Sequence, residues 1–387
     1  MAQELAKRGH TVYVVAASFT HLLRNQSKQS KPFEHETHGG VNFVWVRVPR
    51  YSLAKSKIRV INWFIFTLKL LWLPRVIKDK PDVVWASSPQ PFLFLSARRL
   101  ARKLKARLVF EVRDIWPLTL QELGGMSEYN PLILAMRWIE RVAYRDSDAV
   151  ISNLPNAIEH MAQKGLYRSK FTWITNGICL NEMARQEEYS VKSLEGFSRG
   201  RFTIGYVGTL GLANSLHFLI NAIASLKNEI NISLVLVGAG GEQGALKGLV
   251  DKLGLNKSVL FLGAIPKQQV QSVMAHFDVC YHGCQNLALY RYGISPNKLP
   301  EYLFSGVPIV NSYSGFFDVV ADAGAGLSTK AEDSDSIANA IKKLYFMGAE
   351  KRQALGDSGK RYALEHLTYA ALSLRAERVL FDEDNCG

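Results

Sequence analysis

The sequence predicts an α/β protein of two domains, each a parallel β-sheet wrapped by helices. Three observations lead there. Its 387 residues exceed what one ordinary core organises and suit two. Short apolar runs alternate with longer helix-patterned segments, as βαβ crossovers require. Those runs carry little polar interruption, which suits strands covered on both faces. The composition agrees, with 48% hydrophobic and 21% charged residues and Gly and Pro spread along the chain. It excludes a disordered, collagenous or coiled-coil chain.

In order, residues 2–9 suit a helix stopped by Gly9, and TVYVVAA (11–17) follows as a strand. VNFVWVRV (41–48), DVVWAS (82–87), RLVFEV (107–112), AVISN (149–153) and FTWIT (171–175) read as further strands. Helices are expected over 92–105 and 131–146, and the set closes at Asn176-Gly177. Residues 1–178 form the first domain. Residues 179–200 are polar and unpatterned, and read as a linker. The second domain, 201–361, alternates strands FTIGYVG (202–208), SLVLVG (233–238), SVLFLG (258–263), VCYHG (279–283) and PIVNS (308–312) with helices over 215–228, 243–253, 267–276 and 297–305. A last helix from about Tyr362, in the segment 362–387, is expected to pack back toward the first domain. Two Rossmann-like sheets facing a cleft would bind ligand at strand C-termini.

Charge divides unevenly. Lys and Arg number 47 against 34 Asp and Glu, a formal +13. Up to Arg185 there are 28 basic and 14 acidic residues, so the first half carries the whole excess. Such a half calls for an anionic partner: nucleic acid, a phosphate-bearing ligand or a membrane surface. No nucleic-acid-binding module is recognisable, so nucleic acid is not the expected partner. Four Cys exclude a disulfide-built scaffold and fit a reducing, cytoplasmic compartment. MAQELAKRGH lacks the basic start and apolar core of a signal peptide and reads as the end of a helix.

The most apolar stretch, VINWFIFTLKLLWL (60–73), is interrupted by Lys69 and too short to span a bilayer. Two readings fit it. One is a helix packed on the core with solvated ends. The other is a helix lying in a membrane interface, with Trp63, Phe64 and Trp72 flanked by Lys55, Lys57 and Arg59. Residues 50–107 hold fourteen Lys and Arg against Asp79 and Asp82 alone, which favours the second. The protein is therefore expected to be peripheral on the inner face of the plasma membrane.

Three motifs carry chemistry. Gly205-Tyr206-Val207-Gly208-Thr209-Leu210-Gly211 and Val237-Gly238-Ala239-Gly240-Gly241 each join a strand to a helix. There, backbone N–H groups and a helix N-terminus can face a phosphate. Glycine at such turns also serves steric needs alone. The third is Ser295-Pro296-Asn297-Lys298-Leu299-Pro300-Glu301, closed by Ser305-Gly306-Val307-Pro308. Lys298 can face a diphosphate while Glu301 accepts from ribose hydroxyls. Alternatively Ser295 or Asn297 caps the helix and Glu301 favours its dipole. Cys280, His282 and Cys284 share a strand face, but three residues ended by Gly283 make a poor zinc site. Asp146-Ser147-Asp148, Asp333-Ser334-Asp335 and Asp382-Glu383-Asp384 read as caps and solvated ends rather than metal sites.

Taken together, GYVGTLG…LINAIASL (205–225), LVLVGAGGEQGALKGLV (234–250), LFLGAIPKQQVQSVMAHFDV (260–279) and SPNKLPEYLFSGVPIV (295–310) resemble retaining, nucleotide-sugar-dependent glycosyltransferases of the GT-B fold, group 1 or family 4 type. FEVRDIWP (110–117) and NPL…IERVAYRDSDAVISN (130–153) extend the resemblance across nearly the whole chain. It is strongest to bacterial enzymes of O-antigen and capsule assembly, such as N-acetyl-L-fucosamine transferases.

The resemblance implies a UDP-sugar donor, a polyprenyl-diphosphate-linked or saccharide acceptor, and neither metal nor cofactor. It places Glu301 at the second glutamate of a paired motif whose first falls at Gly293. Donor contacts would come from Gly208, Thr209, Leu210, Gly211, Gly238, Gly263, Ile265, Ser295, Pro296, Asn297, Lys298 and Glu301. Thr209 and the segment around Asn214 stand where relatives place Arg and Lys, which leaves Lys298 as the diphosphate cation. Arg113 and Asp114 fall at the acceptor-side catalytic position, with Arg113 replacing a frequent His. Relatives also begin with a strand and glycine-rich loop ahead of the helix at Ala2, so the first domain is expected to lack its opening strand. A nucleotide-sugar epimerase of the same fold, or a truncated non-catalytic binding protein, are the competing readings.

Overall fold

Thirteen strands form among the residues described by the computed structural model, which are 1–19, 31–50, 57–88, 90–189 and 192–381. They belong to two units, Met1–Thr175 with Leu372–Gly387, and Asn176–Ala371.

The first unit holds two sheets rather than the single parallel sheet expected. β1 (Tyr13–Ala17), β2 (Phe33–His38) and β3 (Val41–Val46) form one, in the order β1-β3-β2. β1 runs parallel to β3, whereas β2 is antiparallel. β2 reads FEHETH, too polar to announce itself. It is made by its turn, since Gly39 and Gly40 both have positive φ, +58° and +78°, as a two-residue hairpin loop demands. β4 (Val83–Ser87), β5 (Arg107–Val112), β6 (Ala149–Ser152) and β7 (Phe171–Trp173) form the second, fully parallel sheet in that order. Among the described residues, β1 and β2 form the edges of one sheet and β4 and β7 those of the other.

Helices Lys57–Leu70, Leu93–Leu104 and Pro131–Asp146 lie side by side, the latter two against the parallel sheet. The third begins where Asn130 Oδ1 accepts the Leu132 N–H at 2.9 Å with Pro131 in the first turn. Its inner face buries Glu140, whose carboxylate bonds His160 Nε2 at 2.7 Å and the Tyr144 hydroxyl at 3.2 Å. That pair ties the helix to its neighbour, Ala157–Gln163. Desolvation beside Glu140 pushes the Tyr144 hydroxyl well above its ordinary pKa.

The second unit is one six-stranded parallel sheet: β8 (Phe202–Val207), β9 (Ile232–Val237), β10 (Val259–Gly263), β11 (Val279–Gly283), β12 (Ile309–Ser312) and β13 (Gly326–Thr329). Its order is β10-β9-β8-β11-β12-β13. The chain therefore moves outward from β8 in one direction, then returns and moves outward from β11 in the other. Alternate residues feed opposite faces. Leu234 and Leu236 join a core with Ile204, Leu219, Ile223 and Ile341, and Val235 and Val237 join one with Leu299, Tyr302, Leu303 and Ile309. Two covered faces explain the unbroken apolar strands.

Residues 179–200 contain two short helices, Leu180–Ala184 and Lys192–Ser198. The helix expected from Tyr362 is two helices, Ala349–His366 and Tyr369–Phe381. They part at Leu367-Thr368, where Ile178 accepts the Tyr369 N–H and donates to the Leu367 carbonyl, 2.9 and 2.8 Å. The last helix contributes to the first unit, where Glu377 pairs with Arg8 and His10.

Candidate active site

A parallel sheet wound in both directions leaves an opening beyond the strand ends where the winding reverses. Here that point lies between β8 and β11. The turn after β8, residues 207–211, meets the turn after β9 backbone to backbone. A Cβ at Gly238 would stand 1.9 Å from the Gly208 carbonyl oxygen, so only glycine allows the approach. Gly238 is thus required by packing, whatever it contacts in a ligand. The amides of the turn are also largely committed. Gly208 N–H donates to Val237, Leu210 N–H to Ala239 and Gly211 N–H to Thr209, all near 3.0 Å. Of the four amides expected to face phosphate, Thr209 N–H alone has no acceptor among the described residues.

Lys298 comes to this turn from helix Lys298–Ser305. One turn along the same face, Tyr302 locks the helix to β8. Its hydroxyl accepts the Val207 N–H and donates to the Val207 carbonyl, both 2.8 Å. The Lys298 ammonium donates to the Tyr206 hydroxyl at 3.0 Å and to Asn214 Oδ1 at 2.5 Å, and stands 4.6 Å from the Tyr206 ring centroid. Among the described residues no carboxylate offsets its burial, which lowers its pKa to about 8.

Around it lie groups that stay neutral. Burial and the Lys298 charge hold His282 down at about 3, so the imidazole is uncharged. Burial pushes the Cys284 thiol up to about 12 and raises the Tyr206 hydroxyl further. His282 bonds Asn311 Oδ1 through Nδ1 at 2.7 Å, and Asn311 in turn donates to Asp318 at 2.8 Å. The strand-face trio Cys280, His282 and Cys284 is not drawn together as a metal site, and the described residues contain no cluster of three metal-ligating side chains. Asp146 instead pairs with Arg98, Arg102 and Arg145, Asp148 accepts the Leu108 N–H, and Asp333 caps helix Ser334–Phe346. Asp382-Glu383-Asp384 lies outside the described residues.

The rest of the third motif differs in detail from expectation. Asn297 takes the N-cap position without a side-chain capping bond. The Ser295 hydroxyl accepts the Asn176 N–H at 3.0 Å, which ties the Asn176-Gly177 turn to the motif. Pro296 precedes the helix, and the Leu299 N–H returns to its carbonyl. Glu301 is half-buried, with one carboxylate oxygen 3.4 Å from the Lys267 ammonium. Gly263 carries φ +69° and its carbonyl accepts the Gly238 N–H, which places the 263–265 turn beside the second glycine turn, with Ile265 packed on the core.

In the first unit, Arg113 and Asp114 follow β5. Arg113 N–H bonds the Ser88 hydroxyl at 2.9 Å. The Asp114 side chain reaches water, yet enough protein surrounds it that desolvation raises its carboxyl pKa against the opposing pull of Arg113. The aromatic helix divides in two. Trp63 turns inward, 5.5 Å from Trp116 and 6.4 Å from Phe92, with Arg59 over its ring. It is half-buried. Phe64 and Trp72 stay exposed and align with Ile58, Ile61 and Leu68, which is 57% exposed, in one helical stripe. Polar Asn62 and Thr67 face in, the reverse of a solvated helix. Lys55 lies outside the described residues, as does the side chain of Lys57. No helix among the described residues is long and apolar enough to cross a membrane.

Sequence reading gave no role to Tyr206 or Tyr302, weighed His282 only as a zinc ligand, and noted Asn214 only as standing where relatives place a cation. The four-residue spacing of Lys298 and Tyr302 was an available signal, whereas the Asn214 contact depends on a fold-level approach.

Two family models match the chain: glycosyl transferase 4-like domain over residues 1–177 and glycosyl transferases group 1 over residues 192–362. Among curated proteins, a putative glycosyltransferase EpsD of Bacillus subtilis is 26% identical over 59% of this chain and 58% of its own length. A GDP-mannose-dependent phosphatidylinositol monomannoside mannosyltransferase of Mycolicibacterium smegmatis is 26% identical over 42% of this chain and 43% of its own. The chain thus matches less than two thirds of the length of these relatives. Solved structures share the fold. Anabaena HepE in complex with UDP superposes with TM-score 0.64 at 17% identity over 88% of this chain and 86% of that one. Sucrose-phosphate synthase from Thermosynechococcus elongatus does so with TM-score 0.71 at 16% identity over 98% and 90%. With a model matched on each half and this fold, the chain carries a glycosyl transferase 4-like domain and a glycosyl transferases group 1 domain in a GT-B architecture.

Proposed function

We propose that the protein transfers a sugar from a UDP-sugar to a lipid-linked or saccharide acceptor with retention at the anomeric carbon. The observation that carries this is the Lys298 ammonium at the switch point of a parallel sheet, beside the uncommitted Thr209 amide and, among the described residues, without a carboxylate partner. When the bond between anomeric carbon and diphosphate breaks, negative charge grows on the departing oxygen. Fixed positive groups lower that barrier more than a base does. Lys298, the Thr209 amide and the helix N-terminus at Asn297 meet that charge here, so transfer needs no metal or cofactor. Glu301 accepts from the ribose hydroxyls, and the 263–265 turn faces the base. Arg113 and Asp114 serve the acceptor; as its oxygen bonds the anomeric carbon, its hydroxyl proton passes to the departing diphosphate oxygen and UDP leaves.

UDP as the nucleotide is supported by the UDP complex of HepE, and a surface-polysaccharide role with an N-acetylamino sugar by the sequence resemblance. The stripe of Ile58, Ile61, Phe64, Leu68 and Trp72 beside basic Arg75 and Lys78 supports a peripheral position on the inner face of the plasma membrane. The test is incubation with labelled UDP-sugars and a polyprenyl-diphosphate-linked acceptor. Proton coupling at the new anomeric centre reads retention. A product of opposite anomeric configuration, or transfer abolished by a chelator, contradicts the proposal.

A further inference from the structure

We propose that Asn214 is a positioning residue for the Lys298 ammonium, aiming it at the diphosphate of the donor. The inference rests on the donor-site reading above and goes beyond it to the group that sets the cation's place and charge. An ammonium has three N–H donors. Tyr206 takes one and Asn214 Oδ1 takes a second, so the remaining one is left for a ligand oxygen. The Asn214 amide nitrogen donates to the Thr209 carbonyl at 2.9 Å, and the Tyr206 hydroxyl donates to the same oxygen at 2.7 Å. One side chain thereby joins the cation to the turn that carries the free Thr209 amide.

Asn214 is itself held. The next residue, Ser215, is buried and sits at φ +47°, a left-handed conformation uncommon for serine. Its hydroxyl donates to Glu332 Oε1 at 3.0 Å, while Glu332 Oε2 accepts the Asn286 N–H at 3.1 Å. Gln285 N–H donates to the Ala213 carbonyl at 3.2 Å. The short turn Leu212–Asn214 is therefore pinned from the segment after β11 and from Glu332, and a rigid support is what places a charge accurately.

The other groups facing Lys298 do not compete for protons between pH 7 and 10. His282 is already neutral, and the Cys284 thiol and Tyr206 hydroxyl hold their protons. Any loss of ligand affinity in that range that depends on residue 298 therefore reports the Lys298 proton. Asn214 accepts a stronger hydrogen bond from the charged ammonium than from the neutral amine, so its removal lowers the pKa and a carboxylate in its place raises it.

The experiment is calorimetric titration of UDP from pH 7 to 10 into the wild type, Lys298→Met, Asn214→Ala and Asn214→Asp, with melting curves for each. The expected result is several-fold weaker UDP binding by Asn214→Ala at pH 7, with its alkaline midpoint moved to lower pH. Asn214→Asp moves that midpoint to higher pH. If Lys298→Met loses affinity while both Asn214 variants keep the wild-type midpoint, the positioning role is overturned and the donor reading stands. If Lys298→Met binds UDP as the wild type does, the donor reading itself fails. A drop in melting temperature with an unmoved midpoint marks a merely structural role and overturns the inference.

Discussion

Replacing Lys298 by Met removes a charge while keeping most of the side-chain length, and the consequence for UDP can be worked from the site. A charge-assisted hydrogen bond to phosphate contributes about 1.5–3 kcal/mol, or about 10–100-fold in Kd. Lys298→Met should therefore bind UDP about 10–100-fold more weakly at pH 7. The pH dependence sharpens this. With the Lys298 pKa lowered to about 8, raising the pH to 9.5 leaves about one ammonium in thirty protonated. The terminal phosphate of UDP is fully ionised throughout, its second pKa being about 6. The sign is then fixed: wild-type affinity is full below pH 7 and falls as pH rises through about 8, approaching that of the variant. The variant should lack the fall near pH 8, keeping only the change that ionisation of uracil N3 brings to both proteins at the alkaline end. Isothermal calorimetry at constant ionic strength reads both. Parallel pH profiles for the two proteins would refute the assignment of the diphosphate to this cation.

Other outcomes follow from the same contacts. Gly238→Ala drives a Cβ into the Gly208 carbonyl, so denaturant melts should show a loss of about 3 kcal/mol or more, with weaker UDP binding. Glu140→Ala leaves buried His160 without its carboxylate and should cost about 3 kcal/mol in the same melts, with no change in the UDP affinity of the folded protein. Leu68→Glu removes a residue of the exposed stripe and should weaken binding to anionic liposomes about tenfold. Trp63→Phe, an inward ring, should leave liposome binding unchanged in flotation assays. Glu301→Gln should weaken UDP but not 2′,3′-dideoxy-UDP, since the difference isolates the ribose hydroxyls.

Elements with both faces covered were legible because burial on two sides writes an unbroken apolar run. The strand at 202–207 announced itself in this way, and the helix at 131–146 by one buried stripe and its Asn130-Pro131 cap. β2 was not legible, because a polar strand on an open face is specified by its Gly39-Gly40 turn rather than by its own pattern. β13, reading GLST, is held by its neighbour and not by apolarity. The phase of helix Lys57–Leu70 was not legible, since apolar side chains stand on its exposed side as well as its packed side. At the site, Lys298 stood out by its place after Ser295-Pro296-Asn297. Asn214 lies 84 positions away and becomes visible only when β8 and β11 are paired. The glycine turns were ambiguous in sequence. Their backbone contacts show that sterics alone require Gly238, so its presence says little about phosphate.

The most direct test of the central claim is a crystal structure of the protein with UDP. The account predicts the diphosphate beyond β8 and β11, within hydrogen-bond distance of Lys298 Nζ and the Thr209 amide, with the ribose hydroxyls on Glu301. UDP bound away from Lys298, or a diphosphate held by residues of the first unit, would contradict it.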